Sequence, residues 1–122
     1  MINFLVKNIL IFFDYFHKKK IINNLKKITS DGYLKVILDV GAHEGESIEL
    51  FLKNFKVDHI FSFEPSEFTY KKLLTNSEKL KKKFINTSIH LENFAVGNID
   101  RNIELNYLNE TSSSTLRELN IN

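Results

Sequence analysis

The residues best equipped for chemistry are acids set around a glycine turn. Asp39 closes the apolar run Val36-Ile37-Leu38, Gly41 and Gly45 bracket Ala42-His43-Glu44, and Glu46 follows. A carboxylate at a strand end, aimed into such a turn, would repel phosphate and accept hydrogen bonds from an ammonium group. A second acid, Glu64, ends the apolar stretch Phe61-Ser62-Phe63 nineteen residues after Gly45. In a Rossmann-type unit an acid at about this distance takes the ribose hydroxyls. The turn reads D-x-G-x-x-x-G and lacks the middle glycine of G-x-G-x-x-G, which lets a backbone approach pyrophosphate. That omission counts against a nicotinamide dinucleotide as the ligand.

The elements that must hold these acids follow from the surrounding pattern. Val36 to Leu38 is branched and apolar on both faces, as in a strand covered on two sides, so Lys35–Val40 is expected to be a central parallel strand. Glu44 and Glu46 are expected in the first turn of the next helix, where negative charge suits the macrodipole. Ile48, Phe51, Leu52 and Phe55 recur at i, i+3, i+4 and i+7 and give that helix one face for the sheet. His59–Phe63 is the second strand, which Pro65 prevents from extending, and Ser66 suits the N-cap of a helix running to about Lys83. Tyr70, Leu73, Leu74, Leu80 and Phe84 are its candidate buried positions. Ser88–Val96 reads as a third strand, followed by a half-exposed edge strand in which Ile103, Leu105 and Tyr107 alternate with Glu104 and Asn106. Asn109 to Thr115 is a polar, serine-rich loop.

Taken together, Leu38-Asp39-Val40-Gly41-Ala42-His43-Glu44-Gly45, the Phe63-Glu64-Pro65 segment and Asn93-Phe94-Ala95-Val96-Gly97 resemble the S-adenosylmethionine-dependent methyltransferases, and more narrowly the FkbM-type family. The resemblance runs from about Tyr33 to Leu116. It implies an α/β, Rossmann-like class I methyltransferase fold with S-adenosyl-L-methionine as cofactor. By the same resemblance Glu64 accepts from the ribose hydroxyls, and the backbone of Gly41, Ala42, His43 and Gly45 follows the methionine portion. Asp39 orients the turn or the cofactor ammonium, and Asn93, Ala95 and Val96 lie beside adenine. The implied reaction is O-methylation of a sugar or other small molecule. Spacing identifies no catalytic residue. A metal site is not expected, because no second histidine follows His43 at a spacing such as H-E-x-x-H.

Composition bounds these readings. The chain has 122 residues, 43% hydrophobic and 26% charged, with no cysteine and a net charge of +2. This describes one globular domain, without disulfides or thiol chemistry, in keeping with a cytoplasmic location. Nucleic acid is not an expected partner, because the overall charge is small and the lysines of residues 79–83 lack interleaved aromatics for stacking. The positive charge is concentrated in residues 1–30, which hold six lysines against Asp14. Residues 1–32 form an amphipathic helical segment, and 33–122 form the domain. Leu5, Ile9, Phe12 and Phe16 at helical spacing suggest packing against that domain, with Ile21, Ile22, Leu25 and Ile28 continuing the stripe. The run is too short and too charged for a membrane span. A secondary expectation is peripheral contact of residues 1–20 with a membrane surface.

A doubly wound sheet places its first three strands in the order 3-2-1 and its ligand where the order reverses toward strand 4. No fourth parallel strand can be read before Asn122, so the sequence is expected to hold the cofactor-binding, amino-terminal half of a methyltransferase, inactive alone. The bare edge of Lys35–Val40 would then favour self-association. The alternative is a non-catalytic remnant that binds cofactor or dimerises through this edge.

Overall fold

The computed structural model describes residues 2–98, 102, 104–106 and 115–117. A long helix, α1 (Ile2–Ile28), leads through a 3-10 turn at Ser30–Gly32 into β1 (Tyr33–Val40). Then come α2 (Glu46–Asn54), β2 (Lys56–Phe63), α3 (Glu67–Lys83) and β3 (Ser88–Glu92). The three strands form one parallel sheet in the order β1-β2-β3. This is an α/β unit compatible with a Rossmann-like arrangement, in the strand order expected for its first three strands.

Register explains why one sheet face carries the core. Ile37 pairs with Ile60 and Ile60 with Ile89, so three branched side chains line up across the strands. Ile48, Leu52 and Phe55 of the α2 region and Leu73 and Leu80 of α3 join Ile60 and Ile89 in one buried cluster. Two consecutive right-handed crossovers return on the same side of a parallel sheet, and both helices accordingly share this core. Ser66 caps α3 by accepting from the Thr69 N–H at 3.3 Å, and Lys81, Lys82 and Lys83 close the helix at its negative end.

The opposite sheet face is open. Val36, Leu38 and Val40 are 49%, 68% and 62% exposed, so the expectation of a central β1 covered on both faces is overturned. Both crossovers lie on the other face, and β1 is the sheet's edge. Leu74, expected inside, is also exposed, while Tyr70 and Phe84 are partly buried. The third strand stops at Glu92 rather than Val96. Pro65 has no N–H to offer, and the bond from the Glu64 N–H to the Glu92 carbonyl, at 3.0 Å, is the last between the two chain segments' backbones. β4 (Glu104–Asn106) pairs antiparallel with β5 (Thr115–Arg117) in a separate two-stranded sheet, so it is not an added edge of the parallel one. Ile103, Tyr107 and residues 109–114 lie outside the described residues.

The expected packing of the amino-terminal helix holds only at Ile22, which is buried, and Leu25, partly so. Ile21 and Ile28 of the same stripe are exposed, as are Phe12 and Phe16 at 58% and 49%, because the side facing the core at this end carries Ile22 and Leu25 alone. The side chains of Leu5 and Ile9 lie outside the description.

Candidate functional site

β1 and β2 end side by side, with Val40 opposite Phe63. Beyond Val40 the chain reverses through three left-handed residues, Gly41 (φ 82°), His43 (φ 49°) and Gly45 (φ 99°). A non-glycine residue in this region is uncommon and must be held there by its surroundings. Glu64 does the holding. The residue is 7% exposed, and one carboxylate oxygen accepts from the His43 N–H at 2.9 Å while the other accepts from the Ser66 N–H at 2.9 Å. One buried side chain thus ties the glycine turn to the start of α3.

Every N–H of the turn has an internal acceptor. Gly41 and Ala42 both donate to the Phe63 carbonyl, at 2.9 and 3.0 Å, and Gly45 donates to Ala42 at 2.9 Å. His43 donates to Glu64, and Glu44 to the Glu46 carboxylate at 3.2 Å. A phosphate-cradling loop works by leaving such donors free for the anion. This turn leaves none free and gathers Asp39, Glu44, Glu46 and Glu64 about itself. Its electrostatics suit a cationic group and oppose a pyrophosphate.

The two glycines have different reasons to be there. A Cβ on Gly41 would meet nothing within 4 Å, so its constraint is the backbone angle, and the space above it is open to a ligand. A Cβ on Gly45 would come within 3.1 Å of the Leu73 side chain, which places Gly45 on the core side of the turn, packed under α3. Gly45 also serves as the N-cap of α2, so Glu44 lies before the helix and only Glu46 falls in its first turn. The expectation for Glu44 is corrected because the turn takes one more left-handed residue before the helix begins.

Asp39 projects toward the covered side of the sheet, in register with Ser62. One carboxylate oxygen accepts from the Ser47 hydroxyl at 2.6 Å and, more weakly, from the Ser62 hydroxyl at 3.4 Å. Burial raises the Asp39 carboxyl above its ordinary value, and the two hydroxyls only partly offset this. Partial burial also pushes Glu46 upward, but its own backbone N–H, the His43 ring and the Glu44 N–H outweigh that and hold it below the usual carboxylate value. The His43 ring lies 3.0 Å from Glu46, and Glu44 pairs with Lys72 at 2.7 Å while its carbonyl accepts from Asn76 at 2.9 Å. Ser47, Ser62, Lys72 and Asn76 were not singled out from sequence. Of these, Ser62 was accessible from pairing alone, because the acid-bearing strand ends had to lie beside each other.

Asn93 joins the site as a brace. Its amide donates to the carbonyls of Glu64 at 2.8 Å and Pro65 at 3.3 Å, which fixes the segment carrying the buried acid. Phe94 packs its ring 5.3 Å from Phe63 yet stays half exposed, Ala95 is partly buried, and Val96 is exposed. The structure therefore brings Asp39, Gly41, Ala42, His43, Glu64 and Asn93 together at one end of the sheet. Ala42, 1% exposed, offers backbone rather than side chain, and Gly45 faces the core. Ala95 and Val96 form no hydrogen bond to the turn among the described residues. No group of three or more His, Asp or Glu side chains among those residues is arranged to hold a metal ion. Compared with family models, curated proteins and solved structures, the chain matches none.

Proposed function

We propose that this chain is the cofactor-binding part of an S-adenosylmethionine-dependent methyltransferase of the class I fold, acting on an oxygen of a sugar or other small molecule. The observation that carries the reading is the turn in which every backbone N–H is internally satisfied, so that none is left for a phosphate, and which Asp39, Glu44, Glu46 and Glu64 flank, Glu44 being paired with Lys72. S-adenosylmethionine is cationic at its ammonium and sulfonium and has no phosphate, so it fits where a nicotinamide dinucleotide does not. Bound there, the cofactor would supply a methyl group already activated for displacement, leaving the protein to bind, orient and exclude water. Open space above Gly41 would take the methionine portion, with Asp39 and the acids of the turn favouring its ammonium. The remaining lone pairs of Glu64 would accept from the ribose hydroxyls. Phe94 and Val96, exposed beside the strand ends, would present apolar surface to adenine, with Asn93 holding the segment. The open edge of β1 favours a second reading, a cofactor-holding unit that pairs with another copy instead of performing transfer.

Calorimetry with S-adenosylhomocysteine and with NAD tests the cofactor. We expect the first to bind in clear preference, and Glu64→Gln, which loses the charge and leaves one of the two backbone N–H groups facing an NH2, to weaken it by about 10- to 150-fold, in line with loss of a charge-assisted acceptor contributing about 1.5 to 3 kcal/mol. Glu64→Ala should in addition lower the stability of the ligand-free protein by about 2 to 3 kcal/mol, because two buried N–H groups lose their acceptor. Equal affinity for NAD, or a folded Glu64→Gln protein that binds as the parent does, would defeat the assignment.

A further inference from the structure

α1 changes sides partway along its length. At about 100° per residue, Phe12, Phe13 and Phe16 point to the same side of the helix as Lys19, Lys20 and Lys27. Ile22 and Leu25, which seat the helix on the domain, occupy the roughly opposite side. The burial agrees with this phase. Ile22 is buried in the core cluster and Leu25 packs partly buried against it. Phe12, Phe13, Tyr15 and Phe16 are 49 to 65% exposed, with rings in contact in the pairs Phe12–Phe13, Phe12–Phe16 and Tyr15–Phe16. Lys18 is drawn to Asp14 at 2.7 Å, off this outer side, while Lys19, Lys20, Lys26 and Lys27 are exposed. The apolar and basic stretches therefore form one continuous outer surface, exposed on the side away from the core.

We propose that this outer surface of α1 binds a membrane rich in anionic lipid, with the aromatic rings inserted at the headgroup boundary and the lysines against the headgroups. The helix is not long and apolar enough to cross a membrane, which leaves the interfacial mode. Aromatic rings partition into the interface and lysines bind its anionic charge, and here both stand on the same side in adjoining turns. A protein partner would need to match an aromatic patch and a net charge of several lysines on one narrow face. An anionic bilayer does so without further design. The inference does not depend on the cofactor assignment, and its test leaves that site untouched.

The chain has no tryptophan, so Phe16→Trp in the full chain gives a single fluorescent reporter on the exposed patch. Vesicles of phosphatidylcholine are compared with vesicles of phosphatidylcholine containing phosphatidylglycerol. We expect a blue shift and quenching by brominated lipid with the anionic vesicles only, lost when ionic strength rises from about 0.1 M to about 1 M and the Debye length shrinks from about 10 to about 3 Å. The triple change K19Q/K20Q/K27Q should lower partitioning about a hundredfold, at roughly fivefold per lysine. Phe12→Gln should reduce insertion while leaving the domain folded, since that ring is exposed. Equal binding to neutral vesicles, full binding by the lysine variant, or no partitioning would each overturn the proposal. So would a concentration-dependent blue shift without vesicles, which would assign the face to a second copy of the chain.

Discussion

The glycine turn at the ends of β1 and β2 and the open face of the same two strands are built by opposite rules. In the turn, a buried carboxylate holds two backbone N–H groups, Asn93 fixes the carbonyls beside that acid, and Leu73 fills the space under Gly45. On the open face, Val36, Leu38 and Val40 present branched side chains to solvent, and the most closely packed rings are the stacked pair Phe61 and His90, 4.4 Å apart. The two regions are similar in sequence character, apolar strand residues with polar ends. Their difference comes from which face the crossover helices cover. Hydrophobicity alone does not tell a covered strand face from an open one; the side on which the crossover helices return does.

The largest effects should separate the two faces of the sheet. Ile60 is fully buried between Ile37, Ile89 and the helices, and Ile60→Ala should cost about 3 to 4 kcal/mol, a large part of a small domain's total. Leu38→Ala removes a similar amount of side chain from the open face and should change stability by about 0.5 kcal/mol or less. Urea denaturation of both variants measures the contrast. A Leu38→Ala loss approaching that of Ile60→Ala would mean that something covers the open face in solution.

A smaller effect distinguishes the two glycines. Gly45→Ala must place a Cβ against Leu73 and adopt a left-handed angle, so it should cost about 2 kcal/mol. Gly41→Ala carries the angular strain alone and should cost about 1 kcal/mol. For binding of S-adenosylhomocysteine the order should reverse, because only the space over Gly41 is open to a ligand. If both variants lose affinity equally while keeping their fold, the division of the turn into a core side and a ligand side is wrong.

Much of this was legible in the sequence, for reasons that particular residues make plain. The i, i+3, i+4, i+7 series from Ile48 to Phe55 has one helical solution, and Pro65 with Ser66 fixes where β2 ends and α3 begins. The strand order is that of the first three strands of a doubly wound sheet, which the fold-level resemblance implied. What could not be read was anything set by pairing at a distance. Val36-Ile37-Leu38 looks the same in a central strand and in an edge strand whose cover is missing. The role of Glu64 as a brace required knowing that the His43 N–H would turn toward it, which depends on a left-handed residue other than glycine. The end of β3 was misplaced because Asn93-Phe94-Ala95-Val96 has strand character, yet its side-chain amide at Asn93 takes the carbonyls that another strand residue would approach. In α1 the apolar stripe was visible, but its change of side between Phe16 and Ile22 shows only when the seated end is known.

The finest test of the turn is the pH dependence contributed by Asp39. Burial raises its carboxyl in the folded state above the ordinary 3.8, with the Ser47 and Ser62 hydroxyls opposing. A group whose folded pKa lies above its unfolded value binds protons more readily when folded, so its contribution is most favourable below the unfolded pKa and is lost as pH rises through the folded one. Asp39 should therefore favour unfolding progressively as pH climbs from below 3.8 through its raised value. Glu46, held below its usual value, acts with the opposite sign and in a lower window, since its stabilising share is lost only as pH falls. Asp39→Asn keeps an oxygen for the Ser47 hydroxyl and removes the buried charge. The stability difference between this variant and the parent, from urea midpoints measured at a series of pH values, should move in favour of the variant as pH rises through that range and then level off. A flat difference would mean that the Asp39 charge is as well solvated in the turn as in the unfolded chain. In that case the acid would be free to face a ligand's ammonium without any burial penalty.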